Sequence, residues 1–260
     1  MTTIADRLFT AAMARYFDMS YRLLTRSDAG ARFLELSALA PGVLIHGYAT
    51  PDDLDALVRF LAVDEAGSWL DLGCGVGGVT LELHRRTGRR IVGIDLSEEA
   101  LRSARHLAPA VGASGQVSFV RASIGRPPRF GASAAYALDS LMFVPLSTDV
   151  LRGIRDALAG PGRLVTTFVA FGREARDPVV AAADAVGVRI VASEDVTPDF
   201  IRQGERRLRI ARHVLRRGPW SASGLAAMAL VLLEESVVSW LARAGRMRRW
   251  RTVVDLGAAT

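Results

Sequence analysis

The segment Trp69-Leu-Asp-Leu-Gly-Cys-Gly-Val-Gly-Gly78 sets four glycines within six residues, between a short apolar run and the start of a helical pattern. Glycine is required where the backbone turns sharply and where a ligand lies against it without interference from a Cβ. A strand, a glycine turn and a helix in that order describe the ligand-facing corner of a parallel sheet. Twenty residues after Gly75, Asp95 ends the next apolar run in Val-Gly-Ile-Asp-Leu-Ser. An acid at that place can accept hydrogen bonds from both hydroxyls of a ribose.

The pattern around this corner is repetitive in kind. Apolar runs at 68–72, 90–95, 117–121, 133–138, 163–169 and 188–192 predict strands,. Helical patterns fall between them near 78–87, 98–108, 148–159 and 177–186,. Such alternation predicts an α/β chain with a parallel sheet covered on both faces. Upstream, Ile4, Leu8, Ala12, Tyr16, Met19 and Leu23 predict an amphipathic helix over 2–26, and residues 41–50 a loop,. Thr50 is then the N-cap of a helix opened by Pro51-Asp52-Asp53,. Residues 197–245 read as helical throughout, and Trp250–Leu256 as a last strand. The apolar stretch Leu225–Leu233 is cut by Glu234-Glu235, short of the ~20 apolar residues of a membrane span,. A buried or lid helix is expected there, with no membrane insertion.

Composition narrows the function classes. The single cysteine, Cys74, excludes a disulfide framework and a cysteine zinc site,. The N-terminus lacks the charged-then-apolar pattern of a secretory signal, so a cytoplasmic setting is expected,. His84, His106 and His213 are far apart, and no His/Asp/Glu spacing suggests a metal,. The formal charge of +6 is local: residues 197–251 hold 12 Arg against Asp199, Glu205, Glu234 and Glu235, while residues 1–196 hold 21 Arg and 22 acids. The run Arg202, Arg206, Arg207, Arg209, Arg212, Arg216, Arg217 reads first as a solvated helix face. A cap binding an anionic substrate such as a prenyl diphosphate is a second reading. Nucleic-acid or membrane-surface attraction is a third, weakened by the interspersed Glu205 and aliphatic residues,.

Gly73, Gly75 and Gly78 satisfy the dinucleotide pattern G-x-G-x-x-G, so a nicotinamide oxidoreductase must be weighed,. Asp71 counts against it, because a carboxylate two residues before the first glycine repels a pyrophosphate and suits a sulfonium or ammonium. Asp71-Leu-Gly-Cys-Gly-Val-Gly77 and Asp95-Leu-Ser97 resemble the cofactor loop and ribose turn of class I S-adenosylmethionine-dependent methyltransferases. Ala122-Ser123-Ile124, Asp139-Ser-Leu-Met-Phe143 and Leu158-Ala-Gly-Pro-Gly-Arg-Leu-Val-Thr resemble later elements, with Ser123 where the family normally has Asp beside the adenine.

The resemblance implies a Rossmann-like, doubly wound, mostly parallel seven-stranded sheet with an antiparallel last strand and a helical cap. It divides the chain into a cap over 1–60, a core over 61–196, a cap insertion over 197–248 and a final core strand over 249–260. It implies S-adenosylmethionine as cofactor, with S-adenosylhomocysteine as product, held by Tyr48, Asp71, Gly73, Cys74, Gly75, Gly77, Asp95, Leu96, Ser97, Ser123 and Ile124. Cys74 is expected as a small turn residue, not a nucleophile. Ile45-His46-Gly47-Tyr48 is similar to a segment of the subgroup acting on sterols, tocopherols, terpenoids and alkaloids. That implies a small, largely apolar or aromatic acceptor, carbon methylation ahead of nitrogen methylation, and bacterial natural-product biosynthesis of indole-alkaloid or terpenoid type.

His46 is the first candidate base, Asp139 the second, with Tyr16 as a third catalytic candidate. Tyr21, Phe143 and Trp250 are the expected substrate wall. Each has a plainer reading: a backbone-bonded loop histidine, a helix-positioning acid, a core tyrosine. No nucleic-acid partner is expected, and a homodimer is left open. A non-catalytic S-adenosylmethionine-binding partner subunit is the non-enzyme alternative.

Overall fold

The computed structural model describes residues 4–62, 67–172 and 176–257, with side chains from residue 9 onward. Its sheet has seven strands in the order β3-β2-β1-β4-β5-β7-β6. These are β1 (Trp69–Leu72), β2 (Ile91–Asp95), β3 (Val117–Arg121), β4 (Ala132–Leu138), β5 (Leu158–Phe171), β6 (Arg189–Asp195) and β7 (Met247–Asp255). β1 to β5 pair in parallel, and β7 enters antiparallel between β5 and β6. The order reverses at β1, which is where open α/β sheets bind ligands beyond their carboxyl ends.

Both faces of the sheet are covered, as period-two alternation requires. Leu70, Leu72, Leu164 and Phe168 pack on α6 (Thr148–Asp156) and α7 (Pro178–Val186). Trp69, Ile91, Tyr136 and Val165 pack on Leu54, Leu57 and Leu61 of α3 (Pro51–Leu61) and Leu83 of α4 (Gly78–Thr87). Burying each of those leucines contributes about 1.5–3 kcal/mol. The expected cap boundary at residue 60 thus falls inside a helix that packs on the sheet. Thr50 caps α3 in a full capping box: Thr50 Oγ1 accepts from the Asp53 amide at 3.2 Å, and Asp53 Oδ2 accepts from the Thr50 amide at 3.0 Å,.

The cap consists of α1 (Ile4–Arg26), α2 (Asp28–Ser37), α8 (Thr197–Arg216) and α9 (Ala222–Arg243). Leu24, Phe33, Leu34, Ala211, Val214, Met228 and Val231 form its own core. The long C-terminal helical pattern is broken by Gly218-Pro219, since proline lacks the amide proton that would carry the helix through,. On α1 the buried side is Ala14, Ser20, Tyr21 and Leu24, while Met19 of the expected stripe is half exposed. α9 has the length and apolar composition to cross a membrane, yet it packs along α8 and buries Glu235 at its middle. In β5, pairing jumps from Ala132↔Leu158 to Ala134↔Arg163, so the Gly-Pro-Gly segment bulges out of the ladder rather than forming a separate turn,.

Candidate active site

The glycine turn joins β1 to α4, with Gly73, Gly75 and Gly77 all at positive φ. At Gly75 the requirement is also steric: a Cβ would stand 2.7 Å from the Tyr21 hydroxyl of α1. At Gly78 a Cβ would stand 1.9 Å from the Leu44 carbonyl oxygen, so the 41–50 loop lies directly on the start of α4. The Gly75 amide donates to Asp95 Oδ2 at 2.9 Å and the Ser97 amide to Oδ1 at 2.9 Å. Asp71 is buried at the end of β1, where Thr80 Oγ1 donates to its Oδ2 at 2.5 Å. Burial pushes the Asp71 carboxyl up to about 7, and pushes Asp95 upward too,.

A crevice of about 60 Å³ lies between the 44–49 loop and this turn, reaching Asp71, Gly73, Cys74 and Gly75. It shares Tyr21, His46, Gly47, Tyr48, Gly73 and Asp139 with a cavity of about 520 Å³ that runs on to the cap. Asp95, Leu96 and Ile124 line the near end of that cavity. Phe143, Met142, Val169, Phe200, Leu241 and Met247 make its apolar walls, and Phe171 and Leu233 are exposed at 65% and 64%. Phe143 meets Phe17 edge-on, ring centroids 4.9 Å apart.

Several expected site residues lie elsewhere. Trp250 does not line the cavity: it pairs with Phe168 and Asp195, and strand alternation turns it onto the sheet face under α6 and α7. Ser97 caps α5 (Glu98–Ala110), accepting from the Ala100 amide at 3.1 Å, and donates to Asp18 at 2.6 Å. Ser123 Oγ accepts from the Gly125 amide at 3.3 Å and is not a cavity wall, although Ile124 is. Gly77 caps α4 behind the turn. Cys74 is buried and burial pushes its thiol up, which leaves it protonated and suits a turn residue,.

The catalytic candidates separate in character. Asp139, at φ 54°, has both oxygens engaged by Arg249, at 2.8 Å from Nε and 3.0 Å from Nη2, and also accepts from Thr167 at 2.9 Å. Such a carboxylate positions the end of β4. His46 stacks edge-on against Tyr21 at 5.1 Å; burial, reinforced by the Arg207 charge, lowers it to about 3, so its ring is neutral. Tyr16 donates to Glu234 of α9.

The sequence reading missed Glu234, Glu235 and Arg207, all of which line the cavity. Arg207 is not on a solvated face: it is 3% exposed, paired through Nε with Glu235, and donates to the Gly47 carbonyl at 3.2 Å. Tyr48 donates to Glu235 Oε2 at 3.0 Å. The available signal was a pair of adjacent acids inside an otherwise apolar helix. Arg206 is also engaged, donating to the terminal carbonyls of α2 at 3.1 Å. Arg202, Arg209, Arg212, Arg216 and Arg217 are solvated as expected. Among the described residues, no group of three His, Cys, Asp or Glu could hold a metal.

Residues 70–162 match the family described as a methyltransferase domain. Over 123 residues the chain is 34% identical to a carboxy-S-adenosyl-L-methionine synthase of Wolinella succinogenes, covering 46% of each. Over 91 residues it is 33% identical to the methyltransferase phqN of Penicillium fellutanum, covering 34% of this chain and 28% of that one. The chain therefore spans less than half the length of these curated relatives. Two solved structures share its fold over nearly its whole length. The [4+2]-cyclase SpnF has a TM-score of 0.71 at 18% identity, covering 96% of this chain and 97% of that one. Geranyl diphosphate C-methyltransferase from Streptomyces coelicolor A3(2) has 0.69 at 18%, covering 95% and 97%. Over residues 70–162 the chain thus matches a methyltransferase domain, set within a seven-stranded fold that it shares with both solved structures.

Proposed function

We propose that the chain transfers a methyl group from S-adenosylmethionine to a carbon or nitrogen of a small, largely apolar or aromatic metabolite. Natural-product biosynthesis in a bacterial cytoplasm is the setting we favour. The observation that carries this is a crevice and an adjoining cavity that share lining residues, with Asp71, Asp95 and a glycine turn on one side and apolar walls on the other.

The residues fit the cofactor on their own chemistry. Asp71 is buried with no cationic partner among the described residues, and burial raises its pKa, so a cation brought beside it would be stabilised,. A sulfonium-bearing or ammonium-bearing ligand supplies that charge. A pyrophosphate aggravates the repulsion, which disfavours the nicotinamide alternative. Asp95 would hold the ribose hydroxyls, and Leu96 and Ile124 would flank the base. When bound, S-adenosylmethionine supplies an electrophilic methyl group on a good leaving group.

What remains for the protein is alignment and exclusion of water. Phe17, Phe143, Met142 and Phe200 enclose the acceptor in an apolar space. Tyr21 and His46 stand between the cofactor end and the acceptor end, His46 as a neutral hydrogen-bond acceptor. Calorimetry with S-adenosylmethionine, S-adenosylhomocysteine and NAD tests the reading: both sulfur compounds should bind, and NAD should not. Binding of NAD alone would overturn it. A second reading is a protein of this fold that does not methylate, as the name of the cyclase neighbour illustrates; cofactor binding without turnover on any acceptor would favour it.

A further inference from the structure

The charged groups lining the large cavity are almost all spoken for. Asp139 is held by Arg249, Glu235 by Arg207, and Asp95 by the amides of Gly75 and Ser97. Glu234 is different. Among the described residues it has no cationic partner within ion-pair distance; Tyr16 donates to its Oε1 and nothing donates to its Oε2. It sits in the acceptor end of the cavity, among Leu233, Val237, Phe171 and Met13. Arg207 is the cationic side chain among the described cavity walls, and its guanidinium is committed to Glu235 and Gly47. The acceptor end thus carries one carboxylate without a direct ion pair and no free cation.

We propose that Glu234 is a recognition site for a basic nitrogen, so the acceptor is an apolar amine and not a diphosphate or other anion. This rests on the methyltransferase reading for its chemistry, though not for the binding preference itself. A diphosphate is held by free arginine or lysine donors or through a divalent cation; here no cationic wall is free, no group of three metal ligands is found among the described residues, and the anion would meet a carboxylate. An amine nitrogen, by contrast, can place its N–H on Glu234 Oε2 while its apolar skeleton fills the aromatic walls. The reaction then balances. The nitrogen lone pair forms the new N–CH₃ bond, the sulfonium C–S bond breaks with its electron pair left on sulfur, and the N–H proton passes to Glu234. A carboxylate, a sulfonium and a neutral amine become a carboxylic acid, a thioether and a neutral methylated amine. Burial raises the affinity of Glu234 for that proton; Tyr16 from α1 and Arg207 from α8 act in the opposite sense, and Glu235 on its own helix adds to it,.

Isosteric probes of one skeleton are suitable: 2-phenylethylamine, 2-phenylethanol and 2-phenylethyl phosphate, titrated by calorimetry into the full chain with and without S-adenosylhomocysteine. The amine should bind at least about tenfold more tightly than the phosphate. Glu234→Gln should erase that preference while leaving S-adenosylhomocysteine affinity intact, which also certifies the fold. Tyr16→Phe should keep the preference, since the carboxylate remains. Tighter binding of the phosphate, or an amine preference that survives Glu234→Gln, would overturn the proposal. Failure of S-adenosylhomocysteine to bind, with the amine preference present, would instead remove the methyltransferase reading and leave the amine site standing.

Discussion

Arg249, with no exposed surface in β7, grips Asp139 through two hydrogen bonds and reaches Asp53 Oδ2 at 3.0 Å with its remaining nitrogen. One side chain thereby ties the end of β4, the capping box of α3 and the antiparallel strand β7 together. Burial works against its charge, but Asp139 and Asp53 outweigh that and hold the guanidinium firmly protonated. Replacing it with Met leaves two carboxylates without their shared partner. Arg249→Met should cost about 3–5 kcal/mol of stability in urea unfolding. Asp139→Asn should cost less, because Asp53 still pairs with Arg249.

Asp71 gives a pH prediction. Its folded pKa of about 7 lies above the ordinary carboxylate value of 3.8, so between them the folded chain holds a proton that the unfolded chain has lost. Its contribution to stability is therefore present below about pH 4 and is lost as pH rises through 7. Asp71→Asn should raise the Tm of the ligand-free protein at pH 8 more than at pH 5, by about 2–4 °C for each kcal/mol relieved. The same substitution should abolish binding of a sulfonium ligand. In the wild type, binding of that cation near pH 7 should release a proton, seen as a calorimetric enthalpy that depends on the buffer.

The neutral state of His46 predicts a flat response. With its pKa lowered to about 3, the ring does not titrate between pH 5 and 9. Turnover in that range should show no limb assignable to an imidazole. His46→Gln, which keeps an acceptor atom, should retain activity within about threefold if hydrogen bonding is its role. His46→Ala should lose about tenfold or more, with cofactor affinity unchanged in both. A histidine-like limb that disappears in His46→Gln would restore the base role.

The buried pair of Arg207 and Glu235 calls for a double-mutant cycle. Glu235→Gln leaves a 3%-exposed guanidinium without its carboxylate and should cost about 3–5 kcal/mol,. Arg207→Met together with Glu235→Leu should recover most of that, because the desolvation cost of both charges vanishes. Thermal melts of Arg207→Met, Glu235→Leu and the double variant measure the coupling.

The core was legible in the sequence because its signals are local. The glycine turn, the acid ending β2 and the strand–helix alternation each sit within a few residues, and the match over 70–162 covers this same segment. The cap was less legible. Its helices could be read from the apolar spacing, but their orientation is set by tertiary pairing across some two hundred residues. Tyr16 meets Glu234, and Gly47 meets Arg207, through contacts that no spacing rule encodes. Arg207 looked like one of many surface arginines because nothing in its neighbours along the chain reports that Glu235 lies opposite. Trp250 failed for a smaller reason: the phase of β7 is fixed by Arg249 facing Asp53, and that turns Trp250 to the other side of the sheet.

Helix α1 is fastened to the start of α5 by two latches. Asp18 accepts from Ser97 Oγ at 2.6 Å, and Arg26 donates to Glu99 at 2.6 and 2.8 Å. The same helix lays Tyr21 over Gly75 and lends Tyr16 to Glu234. It is a common roof over two rooms. Raising it would open both ends in one stroke, because the hydrogen bonds of Asp18, Arg26 and Tyr16 would break together.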